Sequence, residues 1–156
     1  MMNQPHRDAV VSIIDGASDL TLATIRPDGF PQATTISYAH DGLILYAGIG
    51  KESQKARNLR ANGKVSLTIN LPYDDWRNIR GLSMAAEARI LDAAPDIALA
   101  RACLLKRFPQ LAQWVDSPLA DSIAFIQITP RVISLLDYTK GFGHTELLSA
   151  EQVMAS

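Results

Sequence analysis

Apolar and polar residues change rhythm several times along this chain, and each change marks an element. Residues 64–71 alternate most clearly: Val65, Leu67 and Ile69 against Ser66, Thr68 and Asn70, the period of a strand with one wet face. Before them, residues 20–25 and 32–38 are small and β-branched. Arg26-Pro27-Asp28-Gly29 lies between them and fits a type I turn. His40-Asp41-Gly42 then turns the chain into a strand over 43–47, which Gly48-Ile49-Gly50 ends, so two hairpins in succession predict an antiparallel meander.

Later strands are predicted over 82–91, 122–129 and 131–138, the last two divided by Pro130. Ala85, Ala86 and Ala88 lower the β-propensity of the first.

Helical spacing is sparser. Residues 5–15 place Val10, Val11 and Ile14 on one face, with Gly16 as a stop. A short helix follows Ser53, its N-cap, with Ala56 and Leu59 inward and Gly63 after its end. The clearest helix starts at Pro95 and runs to about Arg107, with Ile97, Ala98, Ala102 and Leu105 on one face and Pro109 closing it. Six or seven strands with scattered short helices and no βαβ alternation predict a mainly β fold, an antiparallel barrel. A Rossmann fold would need strand–helix repeats and a glycine fingerprint.

Composition narrows the partners. With 156 residues, 47% hydrophobic and 20% charged, the expectation is one globular domain over 1–156 with no linker. A formal net charge of -1 argues against nucleic acid held by bulk charge, so any basic site must be local. No apolar run nears the ~20 residues of a membrane span, and residues 1–8 lack the basic-then-apolar order expected of a signal peptide. A cytoplasmic protein is expected. Cys103 is the sole cysteine and lies in an apolar helical run, where an inert buried thiol is expected. His6, His40, His144 and Cys103 lack ligand spacing, so no metal site is predicted.

The local basic site is residues 50–59, Gly-Lys-Glu-Ser-Gln-Lys-Ala-Arg-Asn-Leu. Ser53 offers a hydroxyl, the first backbone N–H groups of the helix lack intrahelical acceptors, and Lys51 and Lys55 add charge. This is the chemistry of a phosphate site. A solvated basic helix face capped by serine would look the same.

Strand, Pro-Asp-Gly turn, strand, turn, strand ending at Tyr46, basic helix, then Asn62-Gly63-Lys64-Val65-Ser66-Leu67 resembles the pyridoxamine 5'-phosphate oxidase-like family of FMN-binding split barrels. The resemblance covers residues 20–91; beyond them only the general order agrees. It implies an FMN phosphate at Ser53, Gln54 and Lys55 with Lys51 near. It places the isoalloxazine along Ala33, Thr34, Thr35, Ile36 and Ser37, then Tyr46 and Ala47. It also implies a homodimer with the cofactor at the interface, to which the loop from Trp76 to Gly81, Arg80 included, and the tail at 139–156 contribute from the partner. Members that oxidise pyridoxamine phosphate carry an arginine where this chain has Ala33 and an Arg-Lys pair where it has Gln54-Lys55. A relative of that oxidase is therefore expected: an FMN-dependent oxidoreductase acting on a small molecule, with no named catalytic side chain. F420 presents a similar ring and phosphate. The segment Lys140-Gly141-Phe142-Gly143-His144 resembles the tails of haem-handling split barrels, which makes haem binding or degradation through His144 the alternative. A non-catalytic flavin-binding module is a third.

Overall fold

The computed structural model describes residues 4–151. Helix α1 (Gln4–Gly16) leads into a meander of β1 (Asp19–Ile25), β2 (Pro31–Ser37), β3 (Ala39–Asp41) and β4 (Ile44–Gly50). Helix α2 (Gln54–Ala61) precedes β5 (Lys64–Asn70) and β6 (Arg80–Ile90). Helices α3 (Ala94–Arg107) and α4 (Ala112–Val115) come next, then β7 (Ile123–Asp137) and β8 (Thr145–Ser149). The strands form one eight-stranded sheet, antiparallel throughout, in the order β2-β1-β5-β6-β7-β4-β3, with β8 added to β7.

The sheet curls until its two ends approach. β2 pairs only with β1. β4 pairs with β7 over its length but with β3 only from Ile44 to Tyr46. Residues 47–50 of β4 therefore present a free edge towards β2. The barrel is split there.

Alternation decides the inside. Leu20, Leu22, Leu67, Ile69, Met84, Ile126, Ile128 and Ile133 are buried in one core, closed at one end by Val10, Ile13 and Ile14 of α1. Tyr38 anchors that helix: its hydroxyl donates to the carbonyls of Ile14 and Ala17, and the Arg107 guanidinium stacks 4.9 Å from its ring centroid. Burial pushes its phenol pKa up to about 12. Gly63, between α2 and β5, admits a close backbone approach: a Cβ there would lie 2.7 Å from the Ala88 carbonyl oxygen.

The sheet corrects the sequence pattern in four places. The predicted strands over 122–129 and 131–138 are one strand, β7, running through Pro130. The register with β6 shifts beside this proline, after the β4 ladder has ended at Ile128 and before the β8 ladder begins at Val132, so the missing N–H breaks neither ladder. The tail from residue 139 is not a free segment: a turn at 138–144 returns the chain as β8, and only residues 152–156 of that call lie outside the described residues. The third predicted strand extends to Gly50, because β7 supplies partners for Gly48 to Gly50. In α3, Ala98 and Ala102 are exposed; Ala100 and Leu104 are buried instead, with Ile97 and Cys103 against Tyr46 and Leu91. Burial raises the Cys103 thiol pKa, as expected of an inert cysteine.

Candidate functional site

At one end of the split, β4 runs into the basic turn. The Lys51 amide donates to the Ser122 carbonyl at 2.8 Å and ties the turn to the start of β7. Ser53 is the N-cap of α2, as its type and position predict. Its Oγ accepts from the Ala56 amide at 3.2 Å and donates to the Gly50 carbonyl at 2.7 Å. Both functions of that hydroxyl are therefore internal.

The arginines are also committed. Arg57 donates to the Glu52 carbonyl at 2.7 Å and to Gln54 Oε1 at 3.0 Å, and Arg60 donates to the Lys51 carbonyl at 2.8 Å. Gln54 donates onward to Asn58 Oδ1 at 2.8 Å.

The two lysines are not. Neither Lys51 nor Lys55 has an acidic or hydrogen-bonding side-chain partner among the described residues. Lys51 is exposed, whereas Lys55 is half-buried and its ammonium pKa is lowered by desolvation. The amides of Gln54 and Lys55 open the helix and have no carbonyl one turn back to accept them. These two amides, the helix N-terminus and two ammonium groups with no acidic partner among the described residues are a donor set that could hold an anion. A phosphate dianion fits this donor set.

The sequence pattern misses the support beneath this turn. Asn58 is fully buried on the inner face of α2, and its Nδ2 donates to Thr24 Oγ1 at 3.0 Å and to Gln32 Oε1 at 3.1 Å. With Gln54 this network fixes α2 to β1 and β2. The available signal was an asparagine on a helix face otherwise given to Ala56 and Leu59.

Beside the turn, the split opens into a cavity of about 420 Å³. Its strand side is Thr35, Ile36 and Ser37 of β2 facing Gly48, Ile49 and Gly50 of β4. Gly50 also touches Ser53, so the cavity and the basic turn adjoin. The far wall is Leu104 of α3, Leu111, Val115 of α4, and Ile123 and Phe125 of β7.

The remaining expected ring residues are placed differently. Ala33 lies exposed on the outer face of β2, and Thr34 turns into the barrel, where its hydroxyl is buried without a partner among the described residues. Tyr46 is buried against Leu91 and Ala100, its hydroxyl accepting from Gln127 at 3.3 Å, and Ala47 is a core residue. A strand alternates its faces, so no seven-residue run on β2 can present every side chain to one ligand.

Trp76 and Arg80 are not brought to the turn within one chain. Trp76 lies in the 3-10 turn before β6 and Arg80 begins that strand, at the end away from Ala88, where α2 meets the sheet, and the eight residue steps of strand from Arg80 to Ala88 span about 26 Å. Trp76 is 64% exposed and stacks on Phe142 with ring centroids 6.3 Å apart; Tyr138 packs edge-on to Phe142 at 5.3 Å. Gly141 (φ 134°) and Gly143 (φ 74°) hold Phe142 at the apex between β7 and β8. Below that apex, His6, Lys140 and His144 all converge on the Glu146 carboxylate, at 2.6, 3.7 and 3.0 Å. The His144 hydrogen bond, with these neighbouring charges, holds that carboxyl below its usual range. No cluster of three metal-ligating side chains occurs among the described residues, and no helix there is long and apolar enough to cross a membrane.

Similarity to known proteins agrees with this architecture. A pyridoxine/pyridoxamine 5'-phosphate oxidase from Rhodopseudomonas palustris (strain BisB5) is 34% identical over 76 residues, which cover 47% of this chain and 32% of that protein. General stress protein 26 of Bacillus subtilis (strain 168) is 23% identical over 139 residues, covering 88% of this chain and 92% of its own. Among solved structures, a haem-binding protein from Mycobacterium smegmatis superposes with a TM-score of 0.82 at 18% identity, over 99% of this chain and 62% of that one. The chain thus spans about a third of the oxidase it matches and under two thirds of the mycobacterial protein. Residues 7–137 match the family defined by pyridoxamine 5'-phosphate oxidase, and the chain belongs to that family.

Proposed function

We propose that this protein is an FMN-binding oxidoreductase, with the flavin phosphate at the N-terminus of α2 and the ring along the split between β2 and β4. The observation that carries the reading is the pair of uncompensated lysines, Lys51 and Lys55, on a braced turn that adjoins a ring-sized cavity through Gly50. FMN supplies hydride and electron transfer when bound. The chain's own residues bind and orient. The Gln54 and Lys55 amides receive the phosphate, the two lysines balance its charge, and the free edges of β2 and β4 offer main-chain groups to a polar ring edge. The apolar far wall excludes water from the ring.

The outer face of the sheet supports a homodimer as part of this reading. The register aligns Thr35, Thr21, Thr68, Ser83 and Ser134 in one row across five strands, ending at Leu147, which is 74% exposed. Such short side chains let a second copy lie close. In that assembly Trp76 and Arg80 would reach the partner's cavity. Thr68→Arg is expected to give a monomer in sedimentation velocity and to lower FMN retention; an unchanged dimer would place the interface elsewhere.

Haem binding is the second reading. His144 Nε2 pairs with Glu146, the carboxylate–histidine arrangement that commonly orients a ligating imidazole and leaves its other nitrogen to a metal. The mycobacterial haem-binding protein shares the fold. The purified protein, mixed separately with FMN, F420 and haem and then desalted, separates these readings. A two-banded flavin spectrum is expected. A retained Soret band that is lost in His144→Ala would favour haem, and a colourless protein in all three samples would refute both.

A further inference from the structure

The wall of the cavity opposite the strands points to the class of molecule that meets the ring. Leu104, Leu111, Val115, Ile123 and Phe125 form it, and no charged side chain among the described residues lines the cavity. Among the described residues, the polar side chains in its lining are those of Thr35 and Ser37, both on the strand side. The uncompensated cations, Lys51 and Lys55, belong to the turn outside it. Polarity is therefore segregated: an anion has partners at the turn and none against the helices.

An ionised phosphate or carboxylate pressed onto that wall would lose hydration with no counter-charge. A neutral ring would exchange water for aliphatic and aromatic contact. From this we infer that the α3–α4 wall binds an uncharged, predominantly apolar molecule, and that it disfavours a phosphorylated one. The ligand's role as a substrate rests on the flavin reading; its chemical class rests on the wall alone. Pro109 and the 3-10 turn at Pro109–Leu111, which carry the chain from α3 to α4, set the position of Leu111 across the opening.

A matched pair of probes tests this. 2-Naphthol and 2-naphthyl phosphate carry the same ring and differ by the charged group. Each is titrated into methyl-labelled protein, before and after FMN addition, while the Leu104, Leu111 and Val115 methyl resonances are followed. 2-Naphthol is expected to move these methyls with saturation below about 1 mM, and the phosphate ester to bind at least about tenfold more weakly. Leu111→Arg should abolish the naphthol shifts. Val115→Thr, nearly isosteric, should weaken them severalfold should the arginine variant fail to fold. No methyl shift at 2-naphthol concentrations of several millimolar, or an ester that binds as tightly as the alcohol, overturns the inference. Loss of FMN on desalting with the naphthol shifts intact would refute the flavin reading and leave the apolar site standing.

Discussion

The two turns that carry most of this chain's chemistry are built on opposite plans. At the α2 turn the arginines and glutamine are tied to carbonyls and amides of the turn itself, while Lys51 and Lys55 face no acid. At the β7–β8 turn Lys140 and the imidazoles of His144 and, from α1, His6 share Glu146, while Phe142 stands 81% exposed at the tip. The first turn carries lysines with no acidic partner among the described residues; the second ties its basic side chains to one carboxylate and carries unburied carbon. A small anion suits the first. The second suits a flat surface or a ring. Counting basic residues would rank the turns as similar; following where each charge goes separates them.

The largest effect should come from removing the unbalanced charge. Lys51→Ala with Lys55→Ala is expected to cost about 2–4 kcal/mol of FMN affinity and to leave riboflavin, which lacks the phosphate, little changed. Equal loss for both flavins would move the phosphate elsewhere. The pH dependence has a definite sign. Burial lowers the Lys55 pKa, so its ammonium disfavours folding at low and neutral pH, and that cost is relieved as pH rises past the lowered value. A bound dianion favours the charged form. FMN affinity should therefore fall as pH climbs through the lowered lysine value, and a Lys55→Arg variant should show a flatter profile.

Next comes the support. Asn58→Leu leaves Thr24, Gln32 and Gln54 without their buried partner and should lower unfolding stability by about 1–3 kcal/mol in urea. If the midpoint does not move, the network does not hold the turn and its rigidity has another source. The smallest effect belongs to the second turn. Glu146→Gln should cost about 0.5 kcal/mol or less at neutral pH, since these pairs are partly exposed. The carboxyl's pKa is lowered on folding, so its contribution is present above the ordinary carboxylate range and lost as pH falls through the lowered value. Wild type and variant should converge in acid. A cost near that of Asn58→Leu would make the second turn structural.

Much of the fold was legible because strand alternation and turn chemistry are local. The period of residues 64–70, the Pro-Asp-Gly turn and the serine cap of α2 all appear where the sequence puts them. What failed was non-local. Pro130 looks like a terminator until β6 offers a bulge beside it. Ala98 and Ala102 of α3 are exposed and Ala100 is buried because Tyr46 and Leu91, not helix periodicity, choose the buried face. In the site, lysines within a basic run were legible, whereas the donation of the Ser53 hydroxyl to Gly50 was not: that depends on how near the Gly50 carbonyl lies. The far wall was invisible, since a four-residue helix and a 3-10 turn leave no periodic trace.

The position of β7 has a consequence for how the chain is made. β4 is complete at Gly50, yet its long partner is residues 123–128. At common translation rates of about 5–20 residues per second, the intervening stretch takes roughly 4–16 s to synthesise. The β1–β2 hairpin and, later, the β5–β6 hairpin can pair while still near the ribosome, but β4 must wait as an unpaired edge with Leu45, Ala47 and Ile49 uncovered. Closure of the barrel is thus postponed until β7 has been made, and β4 is the segment most open to wrong pairing, or to a chaperone, until then.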